Sequence, residues 1–103
     1  MMGDSTEVGP LLGAAMQKAA AELQTKTIED VQRATAITWG GRALAAYALF
    51  EQTGDVRRLC DAEEFAHESM EHGSLAGDPA FSDAIGAHMH AAKARALMAW
   101  GPR

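Results

Sequence analysis

The sequence predicts an all-α protein, either a four-helix bundle or a pair of helical hairpins, completed by oligomerisation. Three observations carry this. Apolar residues recur at spacings of three and four along most of the chain, the period of a helix with a buried face. Helix-ending and helix-opening residues occur in adjacent pairs, Gly54–Asp55 and Asp78–Pro79. Alanine is the commonest residue, and no segment reads as a convincing strand.

The elements follow in order. Residues 1–9 read as a flexible lead, 10–100 as a single helical domain and 101–103 as a tail. Pro10 suits the first turn of a helix. Leu12, Met16, Ala19, Ala20 and Leu23 then share helical spacing, with Lys26 near the end of that segment. Thr27 and Asp30 in "TIED" have the form of a capping box and predict a second helix from about Ile28 to Gln52. Val31, Ala34, Ile37, Trp39, Ala43, Leu44, Ala46, Ala48 and Phe50 spread around its circumference, which predicts packing on several sides. Gly40–Gly41 in its middle cost roughly 2 kcal/mol relative to alanine. They predict either a kink near Trp39 or the close approach of another helix. A tight turn at Gly54–Asp55 leads to a third helix from Val56 to about His72, stopped by Gly73. Asp78 caps, and Pro79 opens, a fourth helix with Phe81, Ile85, Met89, Ala92, Ala96 and Trp100 on one face.

Composition narrows the function. With 103 residues, 48% hydrophobic and 22% charged, the chain suits one globular domain. No apolar run approaches the ~20 residues of a membrane helix. No basic n-region with an apolar h-region opens the chain, and its second residue is Met, so a cytoplasmic, microbial protein is expected. One cysteine, Cys60, excludes an internal disulfide framework and a multi-cysteine zinc site. The formal charge of −5, with no basic block, argues against direct nucleic-acid binding. Side chains this small bury little area each, at ~25 cal/mol per Å². The core is thin, so oligomerisation is expected to extend it, with the Ala-rich first and fourth helices as contact surfaces.

The densest cluster of chemistry is "DAEEFAHESMEHG", residues 61–73. At ~100° per residue, Leu59, Ala62, Ala66 and Met70 share the core side of the third helix. Arg57, Asp61, Glu64 and Glu68 point away from it. Glu63 falls within the apolar arc, with His67 one turn on at its edge. A carboxylate turned toward a core needs a partner: Arg42 or Arg95, the neighbouring histidine, or a metal. Glu64, His67, Glu68 and Glu71 form an adjoining acidic ridge. His88 lies near the apolar edge of the fourth helix and His90 on the opposite side, so both cannot reach one ion. Cys60 has no histidine one turn away and makes a poor catalytic thiol. No catalytic triad, glycine-rich phosphate loop or nucleotide motif appears.

Two partial resemblances bear on this. "EFAH", Glu64 to His67, resembles the Glu-x-x-His of ferritin-like carboxylate proteins. That resemblance implies iron or manganese held by Glu64 and His67, with Glu63 and His88 nearby, in a site shared between chains, because no second Glu-x-x-His occurs. "ALAAYALFEQTGDVRRLCDAEEFA" resembles one helix–turn–helix unit of a tetratricopeptide repeat, without recurrence at the ~34-residue period. It implies protein binding.

The expectation is therefore a binding protein rather than an enzyme, with no cofactor. It acts as a homo-oligomer, adaptor or regulator through contact with itself and with another protein of basic surface. Glu68, Glu71, Trp39 and Trp100 are the candidate contact residues. The alternatives are the metal-binding bundle and an acidic inhibitor of a nucleic-acid-handling complex.

Overall fold

A computed structural model describes the backbone of residues 2–101 and the side chains of residues 12–101. Every element is helical: α1 (Met2–Thr53), α2 (Val56–Ser74) and α3 (Pro79–Ala99). The sequence predicts four helices, but the first two are one. Thr27 does not cap. Its hydroxyl donates to the carbonyl of Leu23 at 2.9 Å, as Thr25 does to Ala21 at 3.0 Å. Such back-bonding satisfies the threonine inside a continuous helix. The start signal at Thr27 is preceded by no stop: neither proline nor glycine lies between Gly13 and Gly40. The bounds of α1 also take in residues 2–9, read from the sequence as a lead.

The two turns form as the sequence predicts. Gly54 takes a left-handed φ of 68°, and its N–H donates to the Phe50 carbonyl at 2.8 Å. Asp55 then caps α2, accepting from the Arg57 N–H at 3.0 Å. Asp78 caps α3, accepting from the N–H groups of Ala80 and Phe81, with Pro79 in the first turn. The end of α2 differs. Gly73 does not stop the helix, which runs on to Ser74; the left-handed residue is Gly77, at φ 76°. Gly73 is buried, with Ile85 of α3 against its backbone, and its value is the close approach of α3.

The core is small and rich in alanine: Ala43, Ala46, Ala62, Ala66 and Ala96 around Tyr47, Phe50 and Met89. Gly40 shows why the helices approach so closely. A Cβ there would stand 3.0 Å from the Ser69 hydroxyl, which is fully buried and donates to the Ala36 carbonyl at 2.7 Å. Close approach, not a kink, is what Gly40 provides, since α1 is unbroken. Trp100 closes the far end. Its indole N–H donates to the carbonyls of Phe50 and Glu51, at 2.9 and 3.0 Å, and its ring lies against Gly54. It thus gives the Phe50 carbonyl a second donor beside the Gly54 N–H and supplies one to the Glu51 carbonyl in the last turn of α1.

The bundle occupies only the second half of α1. The tertiary contacts of α1 begin near Glu29, beside Gly77, and continue with Gln32 to His72 and Arg33 to Asp78. Every residue from 14 to 28 is exposed. The Cα trace measures 85 × 20 × 12 Å, close to the ~78 Å of a straight 52-residue helix.

Candidate functional site

Two surfaces are built by this arrangement. The first is the outer side of α2, where the cap at Asp55 sets the rotation of the helix and Ala62, Ala66 and Ser69 are buried. Glu63 then reaches α3, but its partner is neither Arg42 nor Arg95. Lys93 Nζ lies 3.0 Å from Glu63 Oε1, the two side chains 43% and 46% exposed. Glu63, through its hydrogen bond and charge, holds the Lys93 amine above its ordinary pKa. Lys93 is four residues after Met89 and three before Ala96, both buried. That spacing was the available signal for a cation on the edge of the bundle.

Of the site candidates, Glu63, Glu64, His67, Glu68 and Trp39 share one open surface, and His88, Glu71 and Trp100 lie outside it. His67 Nε2 lies 3.6 Å from Glu71, and His72 Nε2 lies 3.6 Å from Glu68, each pair one turn apart. The other His72 ring nitrogen meets Gln32 of α1 at 2.5 Å, which ties the end of α2 to α1. Glu64 and His88 are exposed on different helices. His90, rather than His88, lines a shallow groove with His67, Lys93 and Tyr47. Burial raises the Tyr47 hydroxyl pKa, opposed by the nearby Lys93 charge. Among the described residues, no three His, Cys, Asp or Glu side chains come together as a metal would require. Trp39 packs on Phe65 at 5.6 Å between ring centroids, and Arg42 lies over its ring at 4.9 Å. Trp39 and Phe65, with Cys60, Glu63, Glu64, His67 and Glu68, line an open ledge.

The second surface is α1 itself. Leu12, Met16 and Leu23 are 58%, 64% and 67% exposed, and Ile37 and Leu44, within the bundle half, are 56% and 42% exposed. The sequence predicts packing on several sides of this helix. In the single chain only one side is packed, because α2 and α3 both sit on the face of Ala36, Gly40, Ala43 and Tyr47. No helix is long and apolar enough to cross a membrane among the described residues.

No family model, curated protein or solved structure matches the chain.

Proposed function

We propose that the protein acts through protein–protein contact, first of all with itself, and that α1 is the element that makes the contact. One observation supports this above the others: large apolar side chains stay exposed along α1 from Leu12 to Leu44. A helix without packing is marginal in water, because most helical stability in proteins comes from burying an apolar face. Exposed apolar area of this extent marks interaction surfaces in soluble proteins. The thin alanine core points the same way, since an added helix would bury more area than the single chain does. On this reading the protein is an oligomeric adaptor or regulator. The acidic side of α2, with Glu64 exposed and Glu68 and Glu71 beside His72 and His67, is offered to a partner of basic surface.

Sedimentation equilibrium at micromolar concentration tests the reading. An oligomer that persists in ~0.5 M salt is expected, because apolar contacts are not screened. A monomer at every concentration rules it out.

A further inference from the structure

One stripe runs along α1 through Leu12, Met16, Ala19, Leu23, Lys26, Asp30, Ala34, Ile37, Gly41, Leu44 and Ala48, all of them exposed. It spans ten helical turns and lies roughly opposite the face that α2 covers. Its spacing reads the same in both directions from Asp30. We infer that two copies pair antiparallel along this stripe, with a two-fold axis at Asp30, so that each projecting arm becomes the fourth helix of its partner's bundle. This rests on the self-association reading above and adds its geometry.

The register brings large side chains against small ones or beside each other. Leu12 meets the partner's Ala48, Met16 lies beside the partner's Leu44, Ala19 meets the partner's Gly41, and Leu23 lies beside the partner's Ile37. Gly41 is the second, independent observation. A Cβ on Gly40 would meet Ser69, but a Cβ on Gly41 would meet nothing within 4 Å. A helix-interior glycine costs about 1 kcal/mol relative to alanine. Gly41 shares its open surroundings with Gly86 of α3, but Gly41 alone of the two lies on the stripe, where the pair sets the partner's Ala19 against it. At the centre Asp30 faces the partner's Asp30, a like-charge contact that weakens the pair and that Lys26 of each chain, one turn away, partly offsets. Each chain contributes five large apolar side chains. At roughly 60–120 Å² apiece they bury about 600–1,200 Å² in total before the small residues add to it. That reaches the ~1,000 Å² a specific interface needs. A C2 interface of this kind is self-complementary, as the symmetric spacing requires.

The test is disulfide trapping in a Cys60→Ser background, with sedimentation of the same samples. Asp30→Cys is expected to link to itself, and a mixture of Leu12→Cys with Ala48→Cys to link across. Leu12→Cys and Leu23→Cys alone should stay unlinked. Gly41→Glu should weaken the dimer at least tenfold while the bundle is no less stable to urea than the parent at dilute concentration. Asp30→Leu should tighten it at least tenfold. If Leu12→Cys or Leu23→Cys links efficiently to itself in a chain that sediments as a dimer, the pairing is parallel and this register is wrong, while self-association stands. If every variant and the parent sediment as monomers, both the register and the self-association reading fail.

Discussion

The two halves of α1 are one helix under two regimes. From Glu29 to Thr53 it is held by α2 and α3, with Ala36, Ala43, Tyr47 and Phe50 buried. From residue 14 to 28 every side chain is exposed. Both halves carry apolar residues, but all the aromatics of α1, Trp39, Tyr47 and Phe50, lie in the bundle half, and only that half is covered by α2 and α3. The bundle half owes its stability to contacts within the chain, whereas the arm must find contacts elsewhere.

Truncations separate the halves most strongly. Phe50→Ala, in the core, is expected to cost about 3–5 kcal/mol and Met89→Ala about 2–5 kcal/mol in urea unfolding at dilute concentration. Leu23→Ala, in the arm, should leave dilute stability within ~0.5 kcal/mol and instead weaken self-association. A large loss for Leu23→Ala at dilution would mean that the arm packs on its own chain. The glycine pair gives the next effect. Gly40→Ala pushes a methyl into Ser69 and is expected to destabilise by about 1–3 kcal/mol. Gly41→Ala meets open space in the single chain and should stabilise the dilute protein by about 0.5–1 kcal/mol.

Smaller effects test the junction between the halves. The Asp78 carboxyl accepts from the Phe81 N–H and from Arg33, and its pKa is held below the ordinary aspartate value. Its contribution is present above the unfolded pKa of about 4 and is lost as pH falls through the lower folded value. Asp78→Ala should therefore lower the melting temperature at neutral pH, and the gap to the parent should close in acid. Lys93 behaves with the opposite sign. Its raised pKa means a contribution present below ~10.4 and lost as pH rises through the folded value. Glu63→Gln should cost only a few tenths of a kcal/mol, less in high salt, because the pair is about half exposed.

Much of the bundle was legible in the residues. Gly54–Asp55 and Asp78–Pro79 are local signals: a left-handed glycine and a capping carboxylate act within their own turn. The inward placement of Ala62 and Ala66 follows from the period of α2, whereas buried Ser69 and Gly73 were not read from it, and Glu63, which the period puts in the apolar arc, is about half exposed. Continuity of α1 was hidden because Thr27 suits a cap and also a back-bonded helix interior, and only the absence of a stop decides between them. The partner of Glu63 was hidden for a different reason. Arg42 and Arg95 were candidates by charge, but the rotation of α3 about its axis selects Lys93. The tasks of Trp100 on the end of α1 and of His72 on Gln32 depend on contacts 40 or more residues apart, which no local pattern records.

Amide hydrogen exchange, read segment by segment at several protein concentrations, tests the contrast between the halves most directly. Protection of residues 33–53 should be strong even at low concentration, whereas protection of residues 12–28 should be weak in dilute protein and rise as concentration increases. Equal protection of both segments at every concentration, or an arm that stays unprotected even in concentrated protein, would contradict the account.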